Sequence, residues 1–430
     1  MQRFTKLLLP IFALLFSLLA CRAAEQWVKP PAPTLAVNPQ GTPMFNEISR
    51  EQQLQIFQEL WDTVDQNYLY PDFNGVDWQA LGEQYRQKIE TGLTTEDFYL
   101  AMDEMIAALG DEHSVYLNPL QVAEEDAEYA GNRDYVGIGI YITAVPDRQR
   151  GTILLTFPGS PAQQAGLQAR DSILSVDGEP LIDENGFLKD IVRGPENTSI
   201  TLRVQSPGQS PRDVQVTRQR ITGSTPVPYR VFTSPEGKRI GYLLLITFAD
   251  STIGEQTGDA IRAMQAEGKL DGLIIDNRFN SGGADTELKD TLAYFMQGDA
   301  GQFISRENNR TLTIRPNDIQ GTQNLPLVVI VGRETISYGE VFSGILQDQQ
   351  RAYIIGEPTD GNVETLWGYD FSDGSRAWIA RESFTPHNNP NQNWERDGII
   401  PNQIILANWD ETTFEADPLI QAALLHLDTR

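Results

Sequence analysis

Apolar residues recur at helical spacing from residue 54 onward, with Leu54, Phe57, Trp61 and Val64 falling on one face. A second run, Phe98, Met102, Met105, Ile106 and Leu109, keeps the same period and stops at Gly110. The spacing predicts a small helical domain over 46–120, with His113 just past its last helix in "GDEHSVYL". From residue 134 the period shortens. "YVGIGIYI", "GTILLTF" and "TLRVQ" read as strands separated by Gly and Pro turns, which predicts a compact β-rich module over 134–220. From 224 to 430, strand and helix patterns alternate: "IGYLLLITF", "EQTGDAIRAMQAEG", "LDGLIIDNRF", "ELKDTLAYFM" and "LPLVVIVG". Apolar strands between amphipathic helices predict a sheet buried on both faces. "DPLIQAALLHL" closes the chain as an amphipathic helix with Pro418 near its start.

The first residues follow neither period. Arg3 and Lys6 precede "LLLPIFALLFSLLA", an apolar stretch too short for a comfortable membrane span, and residues 1–21 read as a secretory signal. The stretch ends in "LLAC", which resembles the lipobox of bacterial lipoproteins and implies lipidation of Cys21; cleavage after Ala24 is the rival. Residues 22–45 are Pro-rich and read as an extended linker. The expected location is periplasmic or cell-surface, with a lipid anchor in the membrane. Cys21 is the only cysteine, so neither an internal disulfide nor a cysteine metal site is expected.

Among 430 residues, the net charge of −26 argues against a nucleic-acid partner, because phosphate requires Lys and Arg to neutralise it. No metal-ligand spacing and no nucleotide loop is visible, so no cofactor is implied.

"GSPAQQAGLQARDSILSVDG" resembles the signature of PDZ domains. In such modules a Gly-rich loop presents backbone N–H groups to a peptide's terminal carboxylate while the peptide adds as a strand. The resemblance gives that role to Val136, Gly137, Ile138, Gly139 and Ile140, and implies protein or peptide C-termini as partners.

"TISYGEVFSGI" places Ser337 between the strand "LVVIV" and a following helix. There a hydroxyl is exposed, and free N–H groups at the helix start stabilise developing negative charge. Ser337 and Glu340 also have the spacing of a capping box, so nucleophile and helix cap both stand open on these residues alone.

"GLIIDNRFNSGG", "SYGEVFSGILQDQQRAYIIGEPTDGN" and "ERDGIIPNQI" follow the PDZ-like module in this order, and together they resemble the tail-specific, or C-terminal processing, peptidase family. The resemblance covers nearly all of the chain after residue 46. It implies a multidomain α+β protein: an N-terminal helical domain, a PDZ-like β module and an α/β crotonase-like peptidase core. It also makes Ser337 the nucleophile, with an oxyanion hole from the N–H of Tyr338 and that of Gly282 or Gly283. The chain departs from the pattern at the family's usual lysine base, twenty-five residues after the serine, where "TDGNV" carries Asn362. An amide has no basic lone pair near neutral pH. A branch of relatives that includes the tricorn core pairs serine with histidine, and "GDEHS" and "SYGE" resemble its motifs. That resemblance makes His113 the base and Glu395 its support; of the other two histidines, His387 in the polar stretch "FTPHNNPNQN" is the rival base and His426 in the terminal helix reads as structural. Imidazole suits the role because it is mostly neutral at pH 7. The expected function is an extracytoplasmic serine endopeptidase that captures C-terminal tails and cleaves through an acyl-enzyme. The alternative is an inactive PDZ-containing binding or scaffold protein on the same fold.

Overall fold

The structure is a computed structural model and describes residues 36–37, 43–44, 46–111 and 113–430. The signal segment, Cys21 and most of the linker lie outside the described residues. No helix among the described residues is long and apolar enough to cross a membrane.

Three helices, Arg50–Asn67, Trp78–Glu90 and Thr95–Ala107, form the front unit. Ser49 and Gln52 close a capping box at the first of them. Its buried face is Ile56, Phe57, Leu60 and Val64, while Leu54 and Trp61 flank that face half-buried. The middle helix is not evident from apolar spacing, because aromatic packing holds it instead. Trp78 stacks on Trp61 and Phe73, and the Trp61 indole donates to the Trp78 carbonyl at 3.1 Å. Beyond His113 a short strand, Val115–Leu117, leads to a further helix, Pro119–Tyr129.

The β-rich module has its main strands in the order Arg212–Thr217, Ser199–Gln205, Ser172–Val176, Arg150–Thr156, Ile140–Val145. Ile140–Val145 is thus an edge strand. Alternate residues Ile200, Leu202 and Val204 point into the module's core beside Ile153 and Ile173.

The C-terminal unit carries two sheets. The first runs in the order Tyr229–Thr233, Arg239–Leu244, Gly272–Asp276, Leu327–Val331, Tyr353–Gly356, Gln403–Ile404, parallel after its first pair. Its period of two splits the side chains cleanly. Leu243, Leu273, Ile275 and Val329 face the helices Ile253–Ala266, Asp285–Leu292 and Tyr338–Asp348. Ile240, Tyr242, Ile274 and Val328 face the terminal helix Pro418–Asp428, where Leu154 and Leu155 of the PDZ module also pack. With both faces covered, the parallel strands read as unbroken apolar runs.

The second sheet is ordered Asn309–Ile314, Gly298–Ile304, Arg376–Pro386, Thr365–Asp370. The front unit is built into it. Val115–Leu117 pairs antiparallel with Arg376–Trp378, and Phe371, Ala377, Ile379 and Ala380 join the helical core. This pairing delivers His113 to the C-terminal unit. The architecture is therefore the expected one of helical front, PDZ module and α/β peptidase core.

Candidate active site

Ser337 sits where the strand Leu327–Val331 hands over to the helix Tyr338–Asp348, and its backbone stands at φ 54°, ψ −126°. A non-glycine residue there is strained, at a cost of about 1–3 kcal/mol. Its side chain makes no capping hydrogen bond to the helix that follows. The capping-box reading is thereby overturned, because a capping serine adopts an extended backbone, as Ser49 does. Glu340 accepts from Thr359 Oγ1 and, at 3.0 Å, from Gly361 N–H, with its carboxylate also facing the Ser337 backbone N–H, so only the serine's half of the box is missing.

The loop after Gly272–Asp276 braces the serine turn. Asn277 Nδ2 donates to the Gly339 carbonyl and to Ser343 Oγ at 2.8 and 2.9 Å, Thr335 Oγ1 donates to the Asn277 carbonyl, and Ile336 N–H donates to that of Asn280. The two glycines that follow are not equivalent. Gly282 lies against Ser337, and its N–H is engaged by Asn280 Oδ1 at 3.0 Å. Among the described residues, no partner takes the N–H of Gly283 or of Tyr338. Of the two glycines expected as oxyanion donors, only Gly283 thus keeps an N–H without a partner among the described residues.

His113 is buried, with only 6% of its side chain exposed. Asp111 Oδ1 accepts the N–H groups of His113 and Ser114 at 3.0 and 2.8 Å, and Ser114 Oγ donates to Asp111 Oδ2 while accepting from Ala380 N–H. His113 Nε2 lies 2.9 Å from Glu395 Oε1, and Glu395 Oε2 accepts the N–H groups of Val363 and Glu364 at 2.7 and 3.2 Å. The segment from Thr359 to Glu364 therefore ties the helix of Ser337, through Glu340, to the partner of His113. Burial favours the neutral imidazole, but the hydrogen bond and charge of Glu395, with Glu364 and Asp111 behind it, leave the His113 pKa above its ordinary value. For Glu395 burial acts upward, yet the His113 contact and the Val363 and Glu364 N–H groups hold its carboxyl below the usual range.

Two further residues, Glu364 and Tyr70, had no sequence signal. Glu364 is buried, bonded to the Tyr70 hydroxyl, and stands 3.8 Å from His113 Nε2 through its other oxygen. Burial, reinforced by the charges of Glu395 and Asp111, pushes its pKa up to about 7. Burial likewise pushes Glu340 up to about 7 against its hydrogen bonds from Thr359 and Gly361.

The other histidines lie apart. His387 is exposed, and its neighbours Asn388 and Asn389 bond to Asp348 at the far end of the Ser337 helix. At 1.5 Å per residue that is about 16 Å from the helix entrance. His426 stacks on Tyr353 with centroids 3.8 Å apart. Asn362 lies in the Thr359–Glu364 segment, and Lys289 pairs with Asp285 at 3.0 Å.

In the PDZ module, Tyr135–Gly137 pairs with Gln219–Ile221, Ile138 is buried, and Ile140 opens the edge strand. Gly139 has φ +75° and no room for a side chain beside Ser160, so only glycine fits there. Thr143 on the edge strand donates to Glu334, three residues before Ser337, at 2.7 Å.

The fold and this pair of loops point to one class, a serine-type peptidase. Comparison with known proteins narrows it. The model for peptidase family S41 matches residues 239–405, that for the tricorn protease C1 domain 44–107, and that for the PDZ domain 158–206. The chain is 31% identical over 404 residues to the carboxyl-terminal-processing protease of Synechocystis sp., covering 89% of this chain and 88% of that one. It is 27% identical over 370 residues to the protein of the same name from Picosynechococcus sp., covering 84% and 86%. Among solved structures, a photosystem II D1 C-terminal processing protease superposes with a TM-score of 0.59 at 27% identity, covering 86% of this chain and 97% of that one. Mature CPAF complexed with lactacystin shares the fold at a TM-score of 0.53 and 13% identity, over 89% and 99%. The chain belongs to peptidase family S41: it is a C-terminal processing serine protease with a PDZ domain.

Proposed function

We propose that this protease works by a Ser–His mechanism in place of the family's Ser–Lys one. Ser337 is the nucleophile, His113 its general base and Glu395 the group that orients the ring. With Nε2–H donated to Glu395, the basic lone pair is on Nδ1, and it takes the Ser337 proton as Oγ attacks the scissile carbonyl. The N–H groups of Tyr338 and Gly283 receive the oxyanion. The imidazolium then returns its proton to the leaving amine, and water releases the acyl group by the same steps in reverse. The PDZ segment Val136–Ile140 receives the substrate's terminal carboxylate while the substrate adds along the edge strand Ile140–Val145, and the enzyme acts outside the cytoplasm on a lipid anchor at Cys21.

A single observation carries this reading. His113 is buried and hydrogen-bonded to Glu395, and the Thr359–Glu364 segment joins that pair to the helix of Ser337. Asn362 in the lysine position supports it, since an amide accepts no proton there. A fluorophosphonate probe provides the test. Labelling of the wild type should vanish in Ser337→Ala and fall by about 10²-fold or more in His113→Ala. A wild type that never labels while still binding C-terminal peptides would establish the scaffold reading instead.

A further inference from the structure

We propose that His113, Glu364 and Glu395 also form a binding site for a divalent cation of the zinc class, and that occupation of this site switches the protease off. The ligand atoms these three residues offer all lie within 4.8 Å of one another. His113 Nε2 is 2.9 Å from Glu395 Oε1 and 3.8 Å from Glu364 Oε2. Tetrahedral zinc with bonds of about 2.0–2.1 Å sets its ligands roughly 3.3 Å apart, midway between those two separations. With all three ligand atoms within 4.8 Å of one another, no pair has to close by more than about 1.5 Å to reach that spacing.

The second observation is Glu364 itself. Only 2% of its side chain is exposed, and its Oε2 has no hydrogen-bond partner although it is aimed at the imidazole. A buried carboxylate oxygen without a partner is costly, and a cation between it and the ring would satisfy it. Both carboxylates are held from behind, as good metal ligands are. Tyr70 bonds Glu364 Oε1, while the Val363 and Glu364 N–H groups bond Glu395 Oε2. The three ligands come from three distant parts of the chain, which is why no metal-ligand spacing shows in the sequence.

The donor set selects the ion. One imidazole and two carboxylates suit zinc, whereas magnesium and calcium favour all-oxygen shells. The inhibition follows from the proton count. A neutral imidazole has one lone pair and one N–H. With the metal on Nε2, the hydrogen sits on Nδ1, and neither nitrogen can accept the serine's proton. This regulatory half rests on His113 being the base; the binding half does not.

The test is made on the full chain, stripped with EDTA and dialysed, with excess Mg²⁺ present to saturate the acidic surface. Equilibrium dialysis of Ser337→Ala against Zn²⁺ should show one tight equivalent, weakened about tenfold or more by adding either Glu364→Gln or His113→Ala. Should Glu364→Gln fail to melt cooperatively, Glu395→Gln takes its place. In the wild type, Zn²⁺ should suppress peptide hydrolysis, and EDTA should restore it while Mg²⁺ does nothing. Zn²⁺ binding that is unchanged in these variants overturns the site. Binding as expected, with hydrolysis that Zn²⁺ leaves intact, overturns the switch. Binding as expected in a chain that hydrolyses nothing leaves the metal site standing and removes the catalytic reading instead.

Discussion

A methyl group placed on Gly282 would stand 2.7 Å from the Cβ of Ser337, and 3.0 Å from its Oγ and from the N–H nitrogen of Tyr338. The absence of a side chain at residue 282 thus keeps open the space in which a substrate carbonyl would meet the hydroxyl. At Gly283 the same methyl would collide with the backbone of Phe248 and Ala249, to which this glycine is bridged.

The two glycines should therefore fail differently. Gly282→Ala sits at φ +81° and meets only the Ser337 Cβ closer than 3.0 Å, so it should cost some stability while its main effect is a fall in hydrolysis of about 10²-fold or more. Gly283→Ala should cost stability first, because backbone cannot give way as a side chain can. Melting temperatures and initial rates of both variants check this, and a Gly282→Ala enzyme with wild-type activity would refute it.

The backbone at Ser337 sets stability against function. Its φ of 54° and ψ of −126° are tolerated readily only by glycine. Ser337→Gly should be inactive yet more stable than the equally inactive Ser337→Ala, by on the order of 1 kcal/mol. Denaturant unfolding of the pair measures the difference, and equal stability would show the turn to be unstrained.

Asp111 holds the loop that carries His113 through three hydrogen bonds, to His113 N–H, Ser114 N–H and Ser114 Oγ. Asp111→Ala should let the ring drift by about an ångström, a displacement that costs up to about 10²-fold in rate. The loss should fall on kcat while the KM for PDZ-bound peptides stays put, because the PDZ module is untouched. A kcat within twofold of the wild type would dismiss this positioning role.

Glu340 makes stability depend on pH. Burial raises its folded pKa to about 7 from an ordinary 4.5, so the folded state holds the proton more tightly than the unfolded chain. The stabilisation this gives is fully present below about pH 4.5. It is lost as pH rises to about 7, by on the order of 3 kcal/mol. Glu340→Gln keeps an acceptor for Thr359 and Gly361 without the charge. Its unfolding free energy should therefore decline less between pH 4.5 and 7.5 than that of the wild type. Parallel pH profiles for the two proteins would show that Glu340 ionises normally.

Much of the fold was legible because it follows from local periodicity. The helices around Phe57 and Met102 and the buried strands around Ile274 and Val329 each carry their own apolar pattern. The helix Trp78–Glu90 was hidden, since its place is fixed by stacked aromatics from other segments rather than by a stripe of its own. In the site, Ser337, His113 and Glu395 were visible as motif matches. Glu364 and Tyr70 were not, for nothing near "NVETL" or "NYLY" marks them as partners.

The sequence by itself determined the three-part architecture and the serine at a strand–helix junction, because these reside in periodicity and residue identity, and it carries Asn362 where the family resemblance implies a lysine. Only the tertiary structure decided that the serine does not cap its helix, that His113 rather than His387 is buried against Glu395, and that a second carboxylate stands behind it. The reason is physical. The pairing of Val115–Leu117 with Arg376–Trp378 brings these groups together across the chain, and burial and proton affinity at a site depend on what is packed there.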